Sequence, residues 1–185
     1  DDNASGSSAF LECAQAFGHG ARNGEPTRRS LIFLSVAGEE LGLWGSKHFA
    51  ANPPWPIGRI VANVNIDMIG RFANLSGEGE ISITPSHAHR KYSSIAQTAA
   101  RLAPELGLSL TNGDEFYTRS DHYNFAVRGI PVVFFCDGEH EDYHQVTDSA
   151  DKLEHGKIER VARLAFDVGG GVADAHERPS GPRRQ

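Results

Sequence analysis

Cysteine is scarce: Cys13 and Cys136 are the only two in 185 residues. Cys13 falls in a helical pattern and Cys136 closes an apolar run, so two buried free thiols are expected rather than a bridge, and the compartment stays undecided. No apolar run approaches the roughly 20 residues that span a bilayer, so no membrane segment is read in this chain. Positive charge is also short, with 18 Lys and Arg against 24 Asp and Glu and a net charge of −6. That balance argues against a general nucleic-acid binder. No internal repeat and no second domain are visible. No leader sequence is visible either, but the chain opens at Asp1 without Met, so that says little about processing.

What is present suffices for one folded domain: over 185 positions, 39% of residues are hydrophobic and 9% are aromatic. A polar turn at Asp1 to Gly6 leads into a helix with Phe10, Leu11, Ala14 and Phe17 on one face, ended by Gly18 and Gly20. Leu31 to Val36 reads as a buried strand. Leu41 to Ala51 reads as a short helix closed by Pro53, Pro54 and Pro56. Further strands are expected at Ile60–Asp67, Ile81–Thr84 and Pro131–Phe135, with a short one at Ser109–Thr111. A long helix carries Tyr92, Ile95, Ala99, Leu102 and Leu106 on one face. A shorter one follows Ser120, and a last one carries Ile158, Val161, Ala165 and Phe166. From Gly169 the chain is glycine-rich and then polar, so residues 169–185 are expected to form a mobile tail. Apolar strands alternating with amphipathic helices imply an α/β fold with a mostly parallel central sheet between helices.

Ligand-type residues recur at the ends of these strands. Glu39 and Glu40 follow the first, Asp67 closes the second, His144 lies in the loop after the last, and Asp2 stands in the opening turn. Each has an ordinary explanation alone: a helix N-terminal carboxylate, a cap, a strand end, a solvated loop histidine. Strand ends that share a direction in a parallel sheet share a crevice, however, so these groups could converge. Adjacent carboxylates repel and burial makes that worse, which a cation relieves. Carboxylates plus imidazole without thiolate suit zinc, and also manganese or cobalt.

The stretches Asp1-Asp2-Asn3-Ala4-Ser5-Gly6, Gly38-Glu39-Glu40-Leu41-Gly42-Leu43-Trp44-Gly45-Ser46, Asn65-Ile66-Asp67-Met68-Ile69-Gly70, Ser120-Asp121-His122 and Tyr143-His144-Gln145-Val146-Thr147-Asp148 occur in the order seen in M28-type zinc aminopeptidases. The chain resembles that family from residue 1 to about residue 155. The resemblance implies a three-layer sandwich with a mixed, mostly parallel sheet, of zinc-exopeptidase type, with residues 1–168 as part of the catalytic domain. It implies that Asp2 bridges two metals and is joined to Asn3 by a cis peptide. It further implies that Glu40 and His144 ligate one metal and Asp67 the other. Glu39 resembles the general base, Tyr143 a group stabilising the oxyanion, and Ser120, Asp121 and Asp148 supports for the ligands. A peptide with a free N-terminus is the implied substrate, and a secreted or periplasmic location is the one the family favours.

One departure accompanies this. The family has a further histidine ligand, in a Gly-x-His-x-Asp pattern on a strand upstream of the bridging aspartate, and this chain begins after that point. Zinc is therefore expected as two ions in the complete domain and one in this chain, with an upstream part of the polypeptide supplying the rest. The charged amino terminus, one residue from Asp2, is expected to be mobile and to compete with a cation. Alternatives are a glutaminyl cyclase-like acyltransferase using one zinc on Asp2, Glu40 and His144, another metal-dependent amidase such as a carboxypeptidase, and a non-catalytic interaction domain of the same fold.

Overall fold

A computed structural model describes residues 1–73, 77 and 79–181. Helix α1 (Ala4–Arg22) starts where the Asn3 side chain caps the Gly6 amide. Only glycine fits at position 6, because a Cβ there would stand 2.7 Å from the Ile66 carbonyl oxygen. This brings the helix start directly against strand β1 (Asn63–Ile66). Helix α2 (Trp44–Ala51) precedes β1, and β2 (Glu80–Thr84), α3 (Ser94–Leu102), β3 (Ser109–Asn112), α4 (His122–Ala126), β4 (Val132–Cys136) and α5 (His155–Asp174) follow it.

The sheet runs β1-β4-β2-β3. β1 pairs parallel with β4, β2 pairs parallel with β3, and β2 and β4 are antiparallel. The expected mixed α/β sheet with flanking helices is what forms. β4 is buried along its whole length, as its unbroken Val-Val-Phe-Phe-Cys run requires of a central strand. Its side chains alternate between two cores. Val133 and Phe135 join Ile81, Ile83 and the apolar faces of α1, α3 and α5. On the other face, Val132 packs with Phe125, Ile130 and Phe49, and Phe134 and Cys136 pack with Met68, Phe116 and Tyr143. Helices cover both faces, giving three layers.

Several local expectations need correction. Leu31–Val36 is extended but joins no ladder among the described residues, and Ile32 and Phe33 are exposed. An apolar run becomes a strand only when a neighbour offers backbone partners, and here a 660 Å³ cavity separates this segment from residues 60–66. The floor of that slot includes Phe10, Phe17, Ala165 and Val172. Gly18 and Gly20 do not end α1, which runs to Arg22. α5 likewise continues through Gly169, Gly170 and Gly171 to Asp174, because Phe17 occupies the space beside Gly169 and Gly170 and stacks on Phe166 at 4.2 Å. Arg29 then binds the carbonyls of Val172, Ala175 and Glu177 at the helix end. The expected tail is thus helical as far as Asp174, and its residues 182–185 lie outside those described. Both cysteines are free and buried, as expected.

Candidate metal centre

The carboxyl ends of parallel β1 and β4 open onto one crevice, where open α/β sheets place ligands. Asp67 follows β1, and the loop after β4 carries Tyr143 and His144. The turn before α1 brings Asp2. Gly38, with φ +71°, turns the extended segment so that Glu39 and Glu40 face the same crevice. A cavity of about 280 Å³ is lined by Asp2, Glu39, Glu40, Asp67, Ser120 and Tyr143, with Met68, Phe116, Phe134 and Cys136 as its apolar part.

Asp2, Glu40 and His144 converge most closely. His144 Nε2 lies 3.2 Å from Asp2 Oδ2 and 3.2 Å from each carboxylate oxygen of Glu40. One ligand atom from each of the three lies within 4.8 Å of the others. Asp67 stands slightly apart. Its Oδ2 accepts a hydrogen bond from Ser120 Oγ (2.8 Å), and that oxygen in turn accepts one from Asn65 Nδ2 (2.9 Å). Asp67 Oδ1 is buried with no hydrogen-bond partner among the described residues. A buried carboxylate oxygen left unpaired is costly, and a cation is the partner that suits it. The donor set of three carboxylates and one imidazole therefore fits zinc.

The charges point the same way. Burial, and then the carboxylates of Asp67, Glu40, Asp121 and Asp2, push Glu39 up to about 7. Burial also lifts Asp67 to about 7 despite its Ser120 bond, with Asp2, Asp121 and Glu40 adding to the rise. Asp2 is raised by burial and by Glu40. Perturbed carboxylates gathered in one cleft are what a site for acid–base or metal chemistry looks like.

Backbone strain gathers here too. Among the described residues the non-glycine residues with positive φ are Leu43 (59°), Met68 (54°) and His144 (57°). Each lies on a segment that carries a candidate residue, a distribution typical of working sites. The peptide between Asp2 and Asn3 is cis, as the sequence resemblance implied.

The remaining sequence-derived residues fall as follows. Tyr143 stacks on His144 with ring centres 3.8 Å apart, and its hydroxyl lies 3.5 Å from Arg119 Nη2. Asp148 Oδ2 accepts from the Asp2 amide (3.0 Å) and the Asp1 amino group (2.8 Å). The amino terminus is therefore buried on Asp148 rather than mobile beside Asp2. Burial pushes Asp148 up, but these bonds hold it below the usual carboxylate range. Asp121 does not line the crevice; it lines the larger slot, and burial raises it. Its neighbour His122 is fully buried on Phe134 and pushed down to about 3, so it stays neutral.

Sequence reasoning missed the lacing underneath. Asn3 Oδ1 accepts from the Met68 amide, Ser5 Oγ from Ile69, Asp1 Oδ1 from Gly70 and Asp137 Oδ2 from Arg71. Lys157 forms a wholly buried ion pair with Asp137 (2.6 Å) and donates to the Arg71 carbonyl. His140 Nε2 stands 3.2 Å from Asp1 Oδ2. Singly these residues carry no periodic or spacing signal. Their proximity to the ligand segments in sequence was the one cue available.

Fold and site together define an α/β protein with a candidate carboxylate–imidazole metal centre at its strand ends. The chain belongs to peptidase family M28, whose sequence profile matches residues 1–169. It is 29% identical over 190 residues to the aminopeptidase YwaD of Bacillus subtilis (strain 168), covering 99% of this chain and 39% of that protein. Its structure resembles an aminopeptidase from Aneurinibacillus sp. strain AM-1, with a TM-score of 0.75, 26% identity, and coverage of 100% of this chain and 43% of that one. A zinc aminopeptidase from Bacillus subtilis shares the fold, with a TM-score of 0.77, 23% identity, and coverage of 96% and 43%. The chain thus spans about two fifths of the length of these relatives.

Proposed function

We propose that this chain is the larger part of the catalytic domain of a zinc aminopeptidase that removes N-terminal residues from peptides. The observation that carries the reading is the convergence of Asp2, Glu40 and His144, with Glu39 lining the same crevice. Asp2, Glu40 and His144 would hold one zinc ion; Asp67, with Asp2 shared, would hold a second in the complete domain. A zinc ion held there supplies Lewis-acid activation of water and of the scissile carbonyl.

The chain's own residues then do the following. Glu39 accepts the proton of the attacking water and returns it to the leaving amine. The Tyr143 hydroxyl donates to the developing oxyanion. The carboxylates around the second zinc position, Asp67 among them, would hold the substrate's free α-amine, which restricts cleavage to chain ends. Met68, Phe116, Phe134 and Cys136 offer an apolar wall to the N-terminal side chain. Ser120 and Asp148 fix Asp67 and the Asp2 backbone. We assign the slot beside β1 to a strand from polypeptide upstream of residue 1, which also supplies the missing histidine ligand. A secreted or periplasmic location goes with this reading by family resemblance alone.

Zinc titration followed by aminoacyl-amide hydrolysis tests it: uptake of zinc at the three-residue cluster, with amino-terminal cleavage in the complete polypeptide, is expected, and absence of zinc uptake refutes it. One observation favours a second reading. The tightest cluster holds one imidazole and two carboxylates, which also suits a single-zinc glutaminyl cyclase-like acyltransferase. A peptide with N-terminal glutamine separates the two: release of free glutamine marks the peptidase, and ring closure with loss of ammonia marks the cyclase.

A further inference from the structure

The loop between β4 and α5 carries His144 yet has little regular structure to hold it. Its two ends are tied by backbone bonds from Asp137 to Met68 and from Glu154 to Gly70, but around His144 the backbone bonds are local turns, Tyr143 to His140, Gln145 to Asp142 and Asp148 to Gln145. Val146 is fully exposed, so the outer side of the loop faces solvent. His144 itself sits in the left-handed region, which an ordinary residue leaves unless its surroundings prevent it. Something on the inner side must impose that geometry.

Arg71 is placed to do so. It is 9% exposed, and its own main chain is fixed at both polar atoms, the amide on Asp137 and the carbonyl under Lys157. Its guanidinium reaches Asp142 Oδ2 at 2.6 Å and Asp148 Oδ1 at 3.3 Å. These two carboxylates bracket His144 in sequence, so one rigid fork spans the base of the loop. The other oxygen of Asp148 accepts the Asp2 amide at 3.0 Å. Arg71 also lies four residues beyond Asp67, on the same tied turn.

We propose that Arg71 is a positioning residue of the metal centre: its guanidinium braces the segments bearing Asp2 and His144 against the turn that bears Asp67. This rests on the reading of Asp2, Glu40 and His144 as zinc ligands. Arginine suits the task because a planar fork can bind two carboxylates in fixed directions, whereas a lysine ammonium is a point charge. Without the fork Asp142 keeps Lys152 and Asp148 keeps the Asp1 and Asp2 nitrogens, but among the described residues no side chain then joins these two carboxylates to each other and to the Asp67 turn. Lys152 is the natural control, since it pairs with Asp142 Oδ1 at 2.7 Å but does not reach Asp148 or the Asp2 segment.

The test measures zinc release from the purified protein to a chromophoric chelator, alongside urea denaturation of the metal-free protein. Partners that orient metal ligands typically contribute about 10–100-fold to metal affinity, so Arg71→Met should release zinc at least about tenfold faster than wild type. Arg71→Lys should fall between the two, and Lys152→Ala should release zinc at the wild-type rate. If Arg71→Met lowers metal-free stability but releases zinc as wild type does, Arg71 is a structural ion-pair residue only and the proposal is overturned. If Arg71→Met fails to fold, Arg71→Lys decides: faster release supports the brace, and wild-type release overturns it. Wild type that takes up no zinc, or His144→Ala that retains it unchanged, overturns the ligand reading and the brace with it, a pattern distinct from failure of the brace alone.

Discussion

Replacing Glu39 with glutamine separates its proton chemistry from its shape. The amide is nearly isosteric but cannot accept the proton, so turnover of an aminoacyl-amide substrate should fall about 10²–10⁴-fold while zinc content stays unchanged. A second, independent effect follows for the metal-free protein. Burial and four neighbouring carboxylates raise Glu39 from 4.5 to about 7. At pH 8 the side chain is ionised in the folded and unfolded states, and the rise counts against folding. At about 1.4 kcal/mol per pH unit the whole shift would cost about 3 kcal/mol. Glu39 is only half-buried, so solvent screening reduces this to about 1 kcal/mol. Glutamine removes that cost, and the metal-free variant should be about 1 kcal/mol more stable than wild type at pH 8. The sign follows from linkage: a raised carboxyl contributes stability while protonated and loses it as pH rises through about 7. The gain should therefore fade toward pH 4.5, where folded Glu39 is already neutral. Urea denaturation of chelator-treated protein at both pH values, with turnover of the zinc-loaded form, measures both effects. Wild-type turnover would remove Glu39 as the base, and a stability gain equal at both pH values would show that its effect is not electrostatic.

Other consequences can be checked with simple assays. His144→Ala should lose zinc and activity together by elemental analysis and turnover, since His144 is the imidazole of the cluster; unchanged zinc content would displace it. Ser120→Ala deprives Asp67 Oδ2 of its donor, and binding at that position should weaken about tenfold or more, read by titration of the complete polypeptide. At pH 7 Glu39 and Asp67 each hold part of a proton, and a bound cation favours their charged forms. Zinc binding should therefore release about one proton, seen as a calorimetric heat that varies with buffer ionisation enthalpy; release that does not vary with pH between 6 and 8 would contradict these values. Burial pushes Cys136 up to about 12 and Cys13 up to about 11. Neither should react with iodoacetamide at pH 8 until urea unfolds the chain, and rapid labelling of the folded protein would contradict their burial.

The parts of this protein written in local patterns were readable before its structure. β4 announced itself as an unbroken apolar run, and α3 and α5 as apolar stripes at helical spacing. The candidate ligands were readable because strand ends in a parallel sheet converge, which turns separate unremarkable carboxylates into one cluster. What failed depended on neighbours distant in sequence. Leu31–Val36 has strand composition, but a strand is a relation between two segments. The glycines of α1 and α5 read as stops, yet they persist inside helices where Phe17 and Phe166 pack. Arg71, Asp137, His140 and Lys157 had no pattern at all, because a buried ion network is specified by three-dimensional geometry and leaves no period behind.

The slot beside β1, assigned above to an upstream strand in the complete polypeptide, bears on how the 185-residue chain by itself behaves in concentrated solution. β1 is the outer strand of the described sheet, and an outer strand offers unpaired backbone groups to any passing chain. The slot is also lined by Arg28, Arg29, Arg59 and Arg178, a local excess of positive charge on a chain whose net charge is −6. Two copies meeting edge to edge would bring these guanidinium groups together, so repulsion guards the edge at low ionic strength. Salt near 1 M shortens the screening length to about 3 Å and lifts that guard. Self-association that grows with added salt, rather than dissolving in it, is the colloidal signature this arginine frame should leave.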